Sequence, residues 1–336
     1  MQERHNGHQQ GATEKLWVPA TIESFRELNG GVLERLQSAG SGFQLAVAVS
    51  GGLFLLGILG FIMRLQGGFE DRAAWGYYAT VWVFLFTTVQ AAPVVAVATR
   101  LAKGHWRRPL SRTAEICAVV GLFNLVLYLP LLALMPPREG RSSMWFDWPI
   151  PGGPVFWDFL SVVFLTLCGV GLLYLSALPD FALLRDHTTG RRRSLYSFLA
   201  HGWVGTKHQW KMTTALLNVL GPFYLMMYVF TSSMIAMDYS MSLVPGWHDA
   251  IYPAFHTIKG LQGAVATTLI AMWLLRRFGG LKRYLGEDQF WGLSKPLLAL
   301  TLLWFYHWWA TFITFWYGRL EGERQVLQLL MFGPYF

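Results

Sequence analysis

The strongest constraint on the fold of this chain is a set of long apolar runs. Seven runs of 21 to 25 residues, almost free of charged side chains, recur along the 336 residues. A helix of that length crosses the hydrocarbon layer of a bilayer, and it satisfies its own backbone hydrogen bonds there. The sequence therefore predicts an all-α, polytopic membrane protein built as a helix bundle. The predicted spans are 43–63, 75–99, 113–135, 155–177, 213–237, 251–275 and 296–318.

The Lys and Arg residues alternate between the segments that join these spans. Twenty of them lie in 1–42, 100–112, 178–212 and 276–295, six lie in the segments between, and Lys259 lies inside a span. Because cytoplasmic loops are enriched in Lys and Arg, we expect a cytoplasmic N-terminus. The net charge of +8 follows the same alternation, so no nucleic-acid partner is expected.

The two ends of the chain differ from the region of the spans. Residues 1–42 are polar and contain a capping box from Ser24 to Glu27, which predicts an amphipathic helix on the cytoplasmic membrane surface. Residues 43–336 form the predicted transmembrane domain. Its last apolar run, 326–336, starts an eighth span but has 11 residues, which is too short to cross. We therefore expect the chain to be truncated at its C-terminus.

Four side chains with exchangeable protons share one face of the sixth predicted span and of the loop before it. Asp249, Tyr252, His256 and Lys259 follow one another at spacings of three or four residues, which places them on one helical face. Ionisable groups are costly in hydrocarbon and usually mark a functional path. The pattern predicts a proton relay, and the alternative is a static group in which Lys259 is bonded to a carboxylate or to carbonyls.

His307 lies in the middle of the seventh predicted span, in a run rich in Trp and Tyr. It is a candidate to meet the relay across the bundle, and the alternative is a core histidine bonded to a carbonyl. His256 and His307 would also be the two ligands of a haem b held between helices. That hypothesis depends only on the presence of two membrane histidines.

Cys117 and Cys168 lie inside apolar runs, so neither a disulfide nor a metal site is expected.

Glu115 lies at the cytoplasmic end of the third predicted span. One interpretation is a group that takes up protons from the cytoplasm. The other, which we favour, is a structural ion pair. The candidate partners are Arg107, Arg108 and Arg112.

Asp238 ends the fifth predicted span on the outer side. It is a candidate for proton release, and the structural alternative is a bond to Trp247 or Ser242 across the following turn. We favour the structural role for Asp238.

Several motifs resemble, in order, those of the polysulfide-reductase membrane subunit (NrfD/PsrC) family. The longest reads DYSMSLVPGW from Asp238 to Trp247, and it is similar to the family pattern D-W-x-M-S-L-x-P-x-W. Within the family the chain most resembles the large membrane subunits of Alternative Complex III, ActC and ActF. It is closer to ActF, since residues 127–134 lack the histidine of ActC-like members. The other motifs are Gly104 to Pro109 with Glu115, Trp157-Asp158, Gly202-Trp203 with Trp210-Lys211, and Trp316 to Gly318 with Glu321 and Glu323.

The resemblance implies an integral membrane subunit of a quinol:acceptor oxidoreductase in the bacterial inner (cytoplasmic) membrane. Subunits of this kind bind no redox cofactor, because quinol or menaquinol is the substrate and the haems and iron–sulfur clusters belong to other subunits. The implied partners are an iron–sulfur/molybdopterin-like subunit, multihaem cytochrome c subunits, a second NrfD-like membrane subunit and lipids.

Asp158 is the candidate for a quinol site. It lies one turn into the fourth predicted span, at the end that the Lys and Arg distribution places outside. A quinol needs an acceptor that takes a proton as the electrons leave. Trp145, Trp148 and Trp157 are candidates to wall the headgroup, and the alternative for Asp158 is an interfacial carboxylate that caps the helix start.

Two other functions fit the same pattern of spans. One is a quinone-binding membrane anchor for a molybdopterin-type reductase, in which the same pocket would serve a different partner. The other is a secondary transporter that uses His256 and Lys259 for proton coupling. Transporters of that class commonly contain internal repeats, and no repeat is apparent in this sequence.

Overall fold

The computed structural model describes residues 41–104, 106–134, 153–244, 247, 249–282 and 284–333. In these ranges seven spans are long and apolar enough to cross a membrane, so the chain is a polytopic helical membrane protein, as the sequence predicted. The α-helices are α1 Ser41–Gln66, α2 Arg72–Leu85, α3 Pro93–Leu101, α4 Arg107–Ile116, α5 Val120–Ala133, α6 Gly153–His187, α7 Gly190–Leu199, α8 Lys207–Ile235, α9 Tyr252–Arg277, α10 Glu287–Gly318 and α11 Glu321–Met331.

Two of the predicted spans are interrupted helices. The second consists of α2, a π-helical segment Phe86–Gln90 and α3, and the third consists of α4, a 3₁₀ turn Cys117–Val119 and α5. Pro93 begins α3, and just before it the N–H of Ala92 donates to the carbonyl of Val89 at 3.1 Å. A proline has no N–H to continue the helical pattern, so the backbone changes its hydrogen bonding just before Pro93.

Three helices extend well beyond the predicted limits of their spans. Helix α6 continues from the expected end at 177 to His187, α8 begins at Lys207 rather than at 213, and α10 begins at Glu287 rather than at 296. Hydropathy detects the part of a helix that faces hydrocarbon, whereas a polar continuation is stabilised by contacts outside that layer. One such contact joins Asp180 on α6 to Arg112 on α4 at 3.1 Å.

Buried aromatic rings form a continuous column in the core. Trp82 stacks on Tyr128 with ring centroids 4.7 Å apart and on Phe86 at 5.2 Å, and Phe86 stacks on Tyr228 at 5.4 Å. These four rings come from α2, the first π segment, α5 and α8, and none is more than 1% exposed. Offset ring stacking adds to the gain from packing, so this column fixes how the four elements sit against one another.

Helix α9 approaches its neighbours closely at two glycines. A Cβ at Gly260 would lie 1.8 Å from the hydroxyl of Tyr228, and a Cβ at Gly263 would lie 2.5 Å from the carbonyl of Thr87. Small residues let membrane helices pack closely where lipid provides no hydrophobic driving force between them. The first π segment and α8 therefore contact the backbone of α9 directly.

The loop before α8 has a specific structure. Thr206 caps α8 through a capping box with Gln209, whose side chain also accepts from the N–H of Val204 at 3.0 Å. Arg185 on α6 donates to the carbonyl of Trp203 at 3.1 Å. A capping box satisfies N–H groups that a helix leaves free at its start, so this basic loop positions the start of α8.

The first part of the last apolar run, 326–331, lies in α11, an amphipathic helix of 11 residues that begins at Glu321. Its Val326 is 3% exposed and packs with Trp247 and Phe315. Some expectations fall outside the described residues, namely the amphipathic helix predicted to follow Ser24 within 1–42 and the walls formed by Trp145 and Trp148.

Candidate functional site

Two carboxyl groups meet inside the bundle, at the end where α6 begins and α8 ends. Asp158 lies in the second turn of α6, and Asp238 lies in a second π-helical segment, Ala236–Ser240, which follows α8. Neither residue is exposed, and their carboxyl groups lie within hydrogen-bonding reach of each other. In the described part of the chain neither carboxyl oxygen of Asp158 meets an N–H or O–H donor. The helix-capping alternative for Asp158 therefore has no support there.

Two tyrosines stand beside these carboxyl groups. The rings of Tyr128 on α5 and Tyr239 in the second π segment are 6.0 Å apart, and both hydroxyls interact electrostatically with Asp158 and Asp238. Tyr239 donates to the carbonyl of Leu131 at 3.2 Å. We call Asp158, Asp238, Tyr128 and Tyr239 the carboxyl pocket. It combines proton acceptors with hydroxyl groups that can donate or accept.

The surroundings of Asp238 differ from those predicted for it. Ser242 donates to the backbone carbonyl of Asp238 and not to its carboxylate. Nε1 of Trp247 has no hydrogen-bond partner among the described residues, so of the two alternative partners predicted for Asp238 the structure has the bond from Ser242 and not the one from Trp247. Trp247 instead packs edge-on against Tyr252 at 4.9 Å. Asp238 lies in the second π segment, and its fully buried carboxyl group meets Asp158 on α6.

The predicted relay on α9 is not a chain of direct hydrogen bonds. His256 is 5% exposed, and its Nδ1 lies 3.0 Å from Oγ of Ser232 on α8. Nζ of Lys259 lies 4.7 Å from the ring centre of Phe255 and 5.8 Å from that of Tyr252. No ion pair of Lys259 occurs in the described ranges, so the alternative of a carboxylate partner has no support there. Cation–π contacts compensate part of the cost of burying an ammonium group.

Asp249 and Tyr252, the outer members of the predicted relay, make local contacts. The carboxylate of Asp249 accepts from the N–H of Ile251 at 2.8 Å, and the hydroxyl of Tyr252 is hydrogen-bonded to Ser240. Burial raises the pKa of Asp249, and hydrogen bonds from the N–H groups of Ile251 and Tyr252 oppose that rise. Asp249 thus stabilises the start of α9, and its part in a relay stays a prediction.

His307 is half-buried on α10. Its Nδ1 lies 2.9 Å from the carbonyl of Leu303, one turn earlier in the same helix, which is the bond that the alternative interpretation expected. No hydrogen bond in the described part of the chain joins His307 to His256 or Lys259. The structure therefore brings His256 to Ser232, not to His307, and the two-histidine haem stays a hypothesis. The described residues include no cluster of three or more His, Cys, Asp or Glu side chains suited to a metal.

Glu115 lies at the opposite end of the bundle in a neutralised cluster. Its carboxylate pairs with Arg100 at 3.1 Å and with Arg112 at 3.3 Å, and it accepts from the hydroxyl of Ser176 at 2.6 Å. Arg112 was among the expected partners, whereas Arg100 was not. We call Glu115, Arg100, Arg112, Ser176 and Asp180 the arginine cluster. The pairing alternative matches this geometry, and proton uptake by Glu115 stays a prediction.

Sequence reasoning missed a polar network in the middle of the bundle. Gln90 ends the first π segment, and its amide accepts from Asn124 at 2.8 Å and donates to Thr166 at 3.3 Å. The hydroxyl of Tyr224 donates to the backbone carbonyl of Gln90. Gln and Asn inside apolar runs were the available signal, because polar side chains in hydrocarbon need partners from other helices.

Comparison with known proteins gives one partial match. No family model matches the chain. Over 88 residues, 26% of this chain, the sequence is 30% identical to the somatostatin receptor type 5 of Bos taurus, and the match spans 23% of that receptor's length. A similarity of this extent does not establish a family, and it carries no statement about activity.

Proposed function

We propose that this chain is an integral membrane subunit of a quinol:electron-acceptor oxidoreductase, and that its carboxyl pocket receives the protons of the quinol. The observation that carries the proposal is the state of Asp158. Its carboxyl group is fully buried, lies against that of Asp238 and meets no donor in the described residues. Buried polar groups usually have a partner, and a quinol hydroxyl is a donor that would supply one.

The carboxyl pocket has groups suited to each proton of the reaction. Oxidation of a quinol to a quinone breaks two O–H bonds and releases two electrons and two protons. Two adjacent buried carboxyl groups share one proton because they cannot both be ionised. The pair of Asp158 and Asp238 therefore accepts one quinol proton and releases it outward before it accepts the second. The hydroxyl of Tyr128 lies beside both carboxyl groups and is placed to orient a headgroup by a hydrogen bond. The two electrons pass to an iron–sulfur or haem centre of a partner subunit.

The position of the pocket fits a substrate that arrives from the membrane. It lies where α5 ends and α6 begins, and the Lys and Arg distribution assigns this end of the bundle to the outer side. Protons accepted there would leave outward. In this proposal the chain lies in a bacterial inner membrane with its N-terminus in the cytoplasm, and His256 and Lys259 belong to an adjoining path for protons.

The same pocket would also serve the reverse reaction. A quinone-reducing anchor of a molybdopterin-type reductase needs two proton donors at the headgroup, and two carboxylic acids satisfy that need. The redox partners decide between the directions. Co-purification with multihaem cytochrome c subunits favours quinol oxidation, whereas co-purification with only an iron–sulfur/molybdopterin subunit favours the reductase.

The test replaces Asp158 by Asn in the intact complex. Asn has nearly the same shape as Asp but does not accept a proton at neutral pH, so we expect the rate of quinol oxidation to fall by about 100-fold or more. The measurement is steady-state oxidation of a menaquinol analogue by the purified complex. Asp71→Asn is the matched control, because Asp71 is 57% exposed and pairs with Arg64 near the start of α2.

Two results would contradict this assignment. One is an Asp158→Asn complex that assembles normally and oxidises quinol at the rate of the unmodified complex. The other is an equal loss of rate in Asp158→Asn and Asp71→Asn, which would indicate a general effect of removing an acidic residue.

A further inference from the structure

A second candidate binding site lies at the end of the bundle opposite to the carboxyl pocket. A surface cleft of about 670 Å³ opens between the end of α9 and the start of α10. Small-molecule sites commonly have volumes of about 300–1,000 Å³. The side chains around the cleft include a cation, two acids, a hydroxyl and aromatic rings: Arg276, Glu287, Asp288, Ser294, Trp273, Phe290 and Trp291.

Arg276 supplies a positive group that is held in place. It is half-buried, its Nη1 donates to the carbonyl of Leu285 at 2.7 Å, and its guanidinium carbon lies 5.8 Å from the ring centre of Phe290. An arginine has five N–H donors, so one bond to Leu285 leaves others for an anion. A guanidinium matches the geometry of a phosphate group. The hydroxyl of Ser294 donates to the carbonyl of Trp291 at 2.9 Å, so Arg276 is the group on this cleft that is placed to donate to an anion.

Glu287 and Asp288 supply negative charge on the same cleft. Both lie in the first turn of α10, and both are exposed. Neither belongs to a salt bridge in the described part of the chain. Two carboxylates can each accept a hydrogen bond from a primary ammonium group, which has three N–H donors. A choline group has no N–H donor and cannot make these bonds.

The cleft lies beside the ends of two membrane-crossing helices. The apolar runs of the sixth and seventh spans are 251–275 and 296–318, so the lining residues lie at or just beyond the ends of these runs, where lipid headgroups are expected. Trp273 is 53% exposed and Trp291 is 68% exposed. Exposed Trp side chains are enriched at the boundary between hydrocarbon and headgroups. An occupant of the cleft therefore has an apolar part beside the helices and a polar part between Arg276 and the two acids.

We propose that this cleft binds the phosphoethanolamine headgroup of a membrane lipid, with the phosphate on Arg276 and the ammonium on Glu287 and Asp288. The combination of one cation and two acids that form no salt bridge among the described residues selects a zwitterion with a primary amine. Phosphatidylglycerol is anionic and has no ammonium group. Its glycerol hydroxyls would meet the two carboxylates without neutralising their negative charge. The site is independent of the proposed quinol chemistry.

The test measures lipids retained by the purified full-length chain. The protein is exchanged into mixed micelles with equal amounts of phosphatidylethanolamine, phosphatidylglycerol and phosphatidylcholine, and bound lipids are counted by native mass spectrometry. We expect phosphatidylethanolamine to be retained at least five-fold over each of the others. Arg276→Gln and the double variant Glu287→Gln/Asp288→Asn should each remove that preference, while Arg277→Gln should preserve it. Arg277 is the matched control, since its guanidinium lies over Phe278 at 5.6 Å and it does not line the cleft.

Further arms make the outcome decisive. Soluble glycerophosphoethanolamine and inorganic phosphate, each added in excess, should not displace the lipid, because neither has the acyl chains that bury beside the helices. If inorganic phosphate displaced the bound lipid, the cleft would be a simple anion site and the proposal would be overturned. Equal retention of the three lipids would also overturn it, as would equal behaviour of Arg276→Gln and Arg277→Gln. The double variant keeps Arg276 and its bond to Leu285, so it tests the site even where Arg276→Gln lowers the yield of folded protein.

Discussion

Buried acids occur at both ends of this helix bundle, and their surroundings differ. Glu115 meets two guanidinium groups and a hydroxyl within 3.3 Å. Asp158 meets the carboxyl group of Asp238, belongs to no described salt bridge, and accepts no hydrogen bond from a described N–H or O–H group. The two acids are 43 positions apart in sequence but are linked through α6, which carries Asp158 near its start and Ser176 about 27 Å further along.

The difference between the two ends indicates which buried acid stabilises the fold and which one is available for chemistry. A buried acid that is fully neutralised resists change, because moving its proton or its partner leaves a charge without compensation. A buried acid that faces another acid has oxygen atoms that can still accept a hydrogen bond from a ligand. Such an arrangement lowers stability, and proteins keep it where it serves a reaction. The arginine cluster is therefore the part of this chain expected to hold the fold, and the carboxyl pocket is the part expected to act on a ligand.

The largest expected effect on stability comes from Glu115→Gln. This change leaves Arg100 without a negative partner in the described structure and removes one of the two acids that Arg112 contacts. Breaking a buried ion pair by removing one partner costs about 3–5 kcal/mol. The measurement is the free energy of unfolding in mixed micelles, with Asp71→Asn as the exposed control, for which we expect a loss below about 1 kcal/mol. A loss of similar size in both variants would remove the distinction between the two ends.

Ser176→Ala should have an intermediate effect. Its hydroxyl donates to the carboxylate of Glu115 at 2.6 Å, and a hydrogen bond to a charged group contributes about 1.5–3 kcal/mol. We expect a loss in that range in the same unfolding assay. In a variant that already carries Glu115→Gln the loss should be smaller, since the charge is gone. Strict additivity of the two changes would show that the serine and the carboxylate do not act together.

Asp158→Asn should have the smallest effect on stability and the opposite sign. The new amide can donate to the carboxyl group of Asp238, and one such bond contributes about 0.5–1.5 kcal/mol. We expect a small rise in the unfolding free energy together with the loss of activity described above. A destabilisation as large as that of Glu115→Gln would mean that Asp158 is a structural residue, and it would remove the carboxyl pocket as a site.

The apolar runs were sufficient to predict the helices but not their internal breaks or their full length. Seven spans follow from length and hydropathy, because hydrocarbon admits only segments that satisfy their own backbone groups. The extension of α6 to His187 was not predictable in that way. It depends on contacts such as that between Asp180 and Arg112, which are made between residues far apart in sequence.

The candidate site was predicted residue by residue but not as a set. The sequence singled out Asp158 and Asp238 for separate reasons, and it assigned Asp238 to partners in its own loop. Tyr128 and Tyr239 were not singled out at all. In a regular α-helix each residue is rotated by about 100° from the one before it. The rotation differs in a π segment, so helical periodicity could not place the carboxylate of Asp238 beside Asp158.

The amino-acid sequence by itself determined the class of the protein, the number of its spans and the distribution of its basic loops, because the bilayer imposes length, hydropathy and charge rules that act on one segment at a time. Only the tertiary structure decided which buried acids are neutralised. That outcome depends on the second π segment, which carries Asp238, and on the register between α4 and α6, which places Ser176 against Glu115. Both features set how one helix lies against another. In a medium of low dielectric constant, a change of a few ångströms between two charged groups decides whether one neutralises the other.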